Sequence, residues 1–283
     1  MTTHAIHTDQ IIRLALAEDI GTGDVTTSSV VPAGRSIEGH LKAKEAGIVC
    51  GLQVAERVFA VLDKAIRFAS RCHDGDKVEP GQLIATISGP AHGILTGERV
   101  ALNFLQRLSG IATQANVYAE QVKGTGAVVT DTRKTTPGMR YLEKLAVKTG
   151  GGSNHRMNLA DGILIKDNHI RAAGSISAAV KLAREYAPRM LKVEVETETL
   201  EDVREALAAG ADIIMLDNMD IPTMKEAVRL IDGKALVEAS GNMDQRDIRE
   251  VALAGVDMIS IGALSHSVRA LDISLKFTEV ASL

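Results

Sequence analysis

From about Ala127 onward, short uninterrupted apolar runs alternate with longer stretches in which apolar residues return every third or fourth position. The runs are "AVVTD", "ILIKD", "LKVEVE", "DIIMLD", "ALVEAS" and "MISIGA"; the stretches include "SISAAVKLAREYA", "TLEDVREALAAG" and "DQRDIREVALAG". Such runs suit buried strands and such periodicity suits amphipathic helices. Their alternation predicts parallel strands joined by right-handed crossovers. The last units repeat at roughly 20 to 25 residues, close to the least that a short strand and its helix require. An internal echo agrees: "AAGADIIMLDN" from Ala208 aligns with "LAGVDMISIGA" from Leu253. About six strands fall short of a complete barrel, which leaves an incomplete barrel or an open doubly wound sheet.

Side-chain parity favours the barrel. Neighbours along a strand face opposite ways, and in "LKVEVE" Val193 and Val195 share one face while Lys192, Glu194 and Glu196 share the other. A strand covered by helices on both faces is apolar throughout, whereas a barrel holds polar groups inside, near a ligand. Lys166, Asp217, and Glu238 with Ser240 repeat the pattern. The expected fold class is therefore α/β, an incomplete parallel α/β barrel of about six or seven strands with an N-terminal α+β domain. That first domain, residues 1–108, expected to form the dimer and to be joined by the C-terminal tail, shows short strands punctuated by Asp-Gly and Pro-Gly turns in "EGHLKAKEAGIVCG" and "HDGDKVEPGQLIATISGP", a hammerhead-like pattern. Two helices, from about Ala91 to Leu108 and from about Gly110 to Lys123, lead into the barrel, residues 109–283.

Composition narrows the function. The 283 residues are 45% hydrophobic and carry a net charge of −4, which excludes a disordered chain, and no apolar run is long enough to span a bilayer. Cys50 and Cys72 have no motif spacing and the N-terminus lacks a signal-peptide pattern. A reducing cytoplasm is expected, without a zinc site or disulfide. With no Trp, three Tyr and four Phe on a slightly acidic chain, nucleic-acid binding is not expected. Clustered cations therefore mark a local site.

They cluster at strand ends, where barrel active sites form. Arg133 and Lys134 follow the first run in "DTRKTTPGMR"; "GGGSNHRMNLADG" brings His155 and Arg156 before the second; Lys166 closes the second, Glu196 the third and Asp217 the fourth. A single strand-end carboxylate is ordinarily a helix cap or an ion-pair partner, but a succession of charged strand ends points to a site. "SGN" at Ser240 to Asn242 and "GAL" at Gly262 to Leu264 follow the last two strands, where glycine lets backbone N–H groups approach a phosphate. The glycines from Gly150 to Gly152 read instead as the end of a helix. Arg99 shares a helix face with Leu95 and Leu102, a cation in an apolar stripe that suits either an internal ion pair or a reach into a site or interface. His73, His92 and His266 carry no motif and read as surface or capping residues. On these residues alone, a Schiff-base barrel using Lys166 and a non-catalytic phosphate-binding barrel stay open.

The stretches "EDIGTGDVTT", "ERVALNFLQRLSGIAT", "DTRKTTPGMR", "KTGGGSNHRMNLADGILIKDNH", "VEVET", "MLDNM", "EASGN" and "SIGALSHS" add a resemblance. In them the chain resembles the quinolinate phosphoribosyltransferases almost end to end. "SGN" departs from the "SGG" of many members, but Asn tolerates a positive φ nearly as well. The resemblance implies an incomplete barrel, an obligate homodimer (as such or as a hexamer of dimers) and Mg²⁺-dependent phosphoribosyl transfer from 5-phosphoribosyl 1-diphosphate to quinolinate. By the same resemblance Arg99, Thr132, Arg133, His155, Arg156 and Lys166 hold quinolinate, with Arg99 contributed across the dimer. Lys134, Glu196 and Asp217 serve the phosphoribosyl donor, and Ser240, Gly241, Asn242, Gly262, Ala263 and Leu264 surround its 5-phosphate. Lys134, Lys166, Glu196 and Asp217 form the catalytic set, Glu196 and Asp217 meeting Mg²⁺ directly or through water.

Overall fold

The Asp-Gly and Pro-Gly turns of the first hundred residues do separate short strands. In the computed structural model, which describes residues 3–278, these are β1 (Ser36–Ala43), β2 (Gly47–Ile48), β3 (Arg67–Ser70), β4 (Lys77–Val78) and β5 (Leu83–Pro90). Further on come β6 (Val128–Thr130), β7 (Ile163–Ile165), β8 (Val193–Thr197), β9 (Ile213–Asp217), β10 (Leu236–Ser240), β11 (Met258–Ser260) and β12 (Ile273–Phe277). Two compact units result: one takes the residues up to Asn116 with Thr136–Gly151 and those from Ser267 on, the other takes Val117–Thr135 and Gly152–His266.

The first unit holds an antiparallel sheet in the order β12-β1-β5-β3, and β2 pairs with β4. Leu41 and Ala43 of β1 and Ile84 and Ile87 of β5 are buried with Phe59, Ile94, Leu105 and Leu108 from the helices Leu52–Leu62 and Ala91–Val122. The second of these helices is continuous where the sequence suggested a break at Gly110. A Cβ at Gly110 would lie 2.2 Å from the carbonyl oxygen of Arg269, so the glycine serves a close backbone approach rather than a helix end. Arg99 is exposed on this helix, while Leu95 is half-buried and Leu102 buried. The glycines at Gly150 and Gly151 do end a helix, Arg140–Thr149.

The second unit holds the six apolar runs as one parallel sheet, in the order β6-β11-β10-β9-β8-β7. Thr130, Ile163, Glu194, Ile213, Glu238 and Met258, one residue from each strand, line a single cavity. A flat sheet cannot converge in this way, so the sheet is curled into an incomplete barrel with charge inside. Its two edges, β6 and β7, are not paired with each other; Ser153 instead bridges Thr130 on the outer side of β6. The internal echo becomes a repeated lock. Gly210 and Gly255 both take positive φ. Two residues on, Asp212 Oδ2 accepts the Val193 N–H and Asp257 Oδ2 accepts the Val237 N–H, each at 2.7 Å. Each aspartate thereby fixes its own strand against the start of the neighbour, Val193 being the first residue of β8 and Val237 the second of β10.

Candidate active site

At the C-terminal ends of the barrel strands two adjoining cavities meet. One, of about 270 Å³, is lined by Thr132, Arg133, Lys134, His155, Arg156 and Lys166, with Leu164, Met215, Glu238, Ser240 and Ser260 completing it. The other, of about 450 Å³, shares Thr132, Lys134, Lys166, Ser240 and Ser260 and adds Glu196, Asp217, Asn218, Gly241, Asn242, Gly262, Ala263 and His266. The first is cationic; the second mixes carboxylates with glycine turns.

Local hydrogen bonds set these loops. Lys134 N–H donates to Thr132 Oγ1 at 3.0 Å, Thr135 N–H to the Arg133 carbonyl at 2.9 Å, and Ser265 Oγ to the Lys134 carbonyl at 2.8 Å. Arg156 donates from Nη1 to the Gly162 carbonyl at 2.9 Å. Burial, and after it the charge of Arg133, holds the Arg156 pKa below its ordinary value, so the two guanidinium groups stand close enough to repel. Lys166 Nζ pairs with Glu196 Oε2. On the other side Asn218 Nδ2 donates to Asp217 Oδ2 at 2.8 Å, and Asn242 Nδ2 donates to Asn218 Oδ1 at 3.1 Å. Asn218 and Asn242 both take left-handed φ, 55° and 49°. Gly241, at φ 94°, leaves no room for a side chain, because a Cβ there would sit 2.3 Å from Asn218 Oδ1.

Beneath the cationic pocket His155, Glu194 and Glu238 form a buried cluster with ligand-type atoms within 4.8 Å of one another. His155 Nε2 lies 3.2 Å from Glu194 Oε2 and 3.4 Å from Glu238 Oε2, and these carboxylates push the ring's pKa up to about 10. At the other nitrogen, however, Nδ1 accepts the Arg156 N–H at 2.8 Å, which a doubly protonated ring cannot do. The Nε2–H tautomer satisfies both contacts. The retained proton then belongs to Glu194, whose carboxyl is pushed above its ordinary range, by burial first among the causes. A cation on Nε2 would displace that hydrogen onto Nδ1, against the Arg156 N–H, so this cluster suits a proton better than a metal.

The arrangement brings together the sequence-derived residues Thr132, Arg133, Lys134, His155, Arg156, Lys166, Glu196, Asp217, Ser240, Gly241, Asn242, Gly262 and Ala263. It does not bring Leu264 to the cavity surface: that side chain is fully buried, because the helix Ala263–His266 turns it inward. Arg99 lines neither cavity. His266, read from sequence as a surface or capping residue near the "GAL" turn, lines the second. Asn218 escaped notice too, although an Asn directly after a strand-end Asp is a recognisable left-handed turn signal.

An incomplete α/β barrel with adjacent cationic and carboxylate-bearing pockets at its strand ends defines a binder of small anionic molecules. The quinolinate phosphoribosyl transferase N-terminal domain profile matches residues 24–109 and the C-terminal domain profile matches residues 111–276. The chain belongs to this family. It is 46% identical to the carboxylating nicotinate-nucleotide pyrophosphorylase, chloroplastic, of Arabidopsis thaliana, over 96% of this chain and 83% of that one. It is also 46% identical to a probable carboxylating nicotinate-nucleotide pyrophosphorylase of Bacillus subtilis, over 92% and 90%. Among solved structures, NadC from Streptococcus pyogenes superposes with a TM-score of 0.92 at 44% identity, covering 99% of each chain.

Proposed function

We infer that this chain transfers the phosphoribosyl group of 5-phosphoribosyl 1-diphosphate to quinolinate and releases CO₂, giving nicotinate mononucleotide and diphosphate in de novo NAD biosynthesis. The observation that carries this reading is the pairing of a cationic pocket holding Arg133, Arg156 and Lys166 with a neighbouring one holding Glu196, Asp217 and two glycine turns. Quinolinate is a dicarboxylate, and guanidinium groups bind carboxylates through charge-assisted, often bidentate hydrogen bonds. Arg133, Arg156 and Lys166, with Thr132 and His155 beside them, are the quinolinate side. Lys134, which lines both pockets, meets the donor's diphosphate. The turns at Ser240 to Asn242 and at Gly262 and Ala263 take the 5-phosphate, the approach that the tight backbone at Gly241 permits.

As diphosphate leaves, positive charge grows on the ribose, and Glu196 and Asp217 offset it. Holding the pyridine nitrogen in line with the anomeric carbon supplies the remainder of the rate, since positioning alone is worth several kcal/mol. After the new C–N bond forms, the pyridinium ring accepts the electron pair of the departing carboxylate and a proton replaces it. The two hard oxygen donors fit Mg²⁺, which binds through one or two carboxylates and substrate phosphates. Glu196 and Asp217 would hold it, directly or through water, and it would neutralise charge on the diphosphate.

The reading extends to a homodimer in which exposed Arg99 completes the partner's quinolinate pocket, and to a cytoplasmic enzyme; among the described residues no helix is long and apolar enough to cross a membrane. The test is the fall in quinolinate absorbance. It should require both the phosphoribosyl donor and Mg²⁺ and should release one CO₂ per diphosphate. Turnover of nicotinate in place of quinolinate would overturn the substrate assignment.

A further inference from the structure

Asp131 is buried, with 1% of its surface exposed, and its side chain lines none of the barrel cavities described above. It nevertheless stands between the two loops that carry the paired arginines. Thr132, Arg133 and Lys134 follow it directly in the chain. Across the edge of β6 that faces Ser153, its Oδ1 accepts the His155 N–H at 2.9 Å and its Oδ2 accepts Asn154 Nδ2 at 2.6 Å. Its own N–H donates to the Ser153 carbonyl at 3.2 Å, and Ser153 N–H donates to Val129 at 2.8 Å. Arg156 is the next residue after His155, so this short stitch sets the position of the second guanidinium relative to the first.

Such a stitch has a physical purpose. Two guanidinium groups in a half-buried pocket repel until an anion arrives, and β6 and β7, which are not paired with each other, offer no strand ladder between them to resist it. An ionised carboxylate is suited to the task because it accepts at both oxygens and its charge offsets the neighbouring cations. We propose that Asp131 is a positioning residue, a clamp that joins the Arg133 and Arg156 loops and holds the empty pocket at the spacing a dicarboxylate requires. This rests on the assignment of the cationic pocket to quinolinate.

The test exchanges donor and acceptor. Asp131→Asn keeps the size of the side chain but sets an amide N–H against either Asn154 Nδ2 or the His155 N–H. Pairing Asp131→Asn with Asn154→Asp puts a donor opposite an acceptor again. In the free protein, amide exchange at His155 should speed up roughly tenfold or more in Asp131→Asn and return toward wild type in the double variant. In parallel, calorimetric titration of Asp131→Asn should show quinolinate affinity reduced about tenfold and 5-phosphoribosyl 1-diphosphate affinity unchanged, with kcat at saturation within about twofold. Unchanged exchange at His155, an equal loss of both affinities, or a double variant no better than the single one would each overturn the clamp. Should Asp131→Asn fail to fold, Asn154→Ala removes one bond at an exposed side chain and is read the same way, a smaller change in the same direction being expected and no change being fatal. If wild-type protein itself does not bind quinolinate, the pocket assignment falls, while the exchange measurement still judges the clamp.

Discussion

Arg133 and Arg156 are the residues on which the quinolinate pocket depends most directly. Either one changed to Ala should cost about 2–4 kcal/mol of quinolinate binding and leave donor binding nearly intact, as isothermal titration would read. Glu196→Gln and Asp217→Asn should instead depress kcat more than either Michaelis constant, because charge on the ribose is greatest in the transition state. Gly241→Ala forces a side chain at φ 94° against Asn218. It should cost about 1–3 kcal/mol in thermal stability and weaken the donor rather than quinolinate. Most of these residues were legible in the sequence because strand ends collect polar groups in an otherwise apolar pattern. Leu264 and His266 were not, since the direction of a four-residue helix after β11 cannot be read from spacing. The bonding of His155 to Glu194 and Glu238 was equally hidden: parity placed both glutamates inside, but only the curl of the sheet brings them beneath one imidazole.

Among the elements, the six barrel strands were legible because each is an uninterrupted apolar run with a charged end, and all six form. The helix Ala91–Val122 was misread as two, because "LSG" looks like a stop when the partner that needs the glycine, the Arg269 carbonyl, lies far along the chain. The echo between Ala208 and Leu253 proved mechanical rather than decorative, each copy carrying at its fifth position an aspartate that accepts an N–H near the start of the neighbouring strand. Asp257→Ala should lower stability by about 1 kcal/mol, the usual worth of one such bond, and Asp212→Ala by more because it also loses the Arg184 ion pair at 2.7 Å; their effects should add because they fasten different strand pairs. Chemical denaturation of the two single variants and the double variant measures both claims.

For the whole molecule, the proton held under the pocket links stability to pH. Burial raises the Glu194 carboxyl above its ordinary value of 4.5, so the cluster binds more protons folded than unfolded. Its contribution is therefore complete below pH 4.5 and drains away as pH rises through the raised value of that carboxyl. Melting temperature should fall above that value more steeply in wild type than in Glu194→Gln, which has no such proton to lose. On the proposed dimer, subunits with Arg99→Ala mixed with subunits with Arg133→Ala should regain roughly a quarter of wild-type activity, because half the dimers are hybrids with one intact site of two. The periodicity of the first hundred residues gives no register for the C-terminal tail expected to join them; β12 pairs with β1, residues Ile273 to Phe277 lying opposite Gly39 to Ala43. Roughly 230 residues separate the two, and a ribosome adding about 5–20 residues per second needs on the order of ten to fifty seconds to bridge that distance. All of the barrel strands emerge in the interval. In the order of synthesis, then, the unit that begins the chain is the last to be finished.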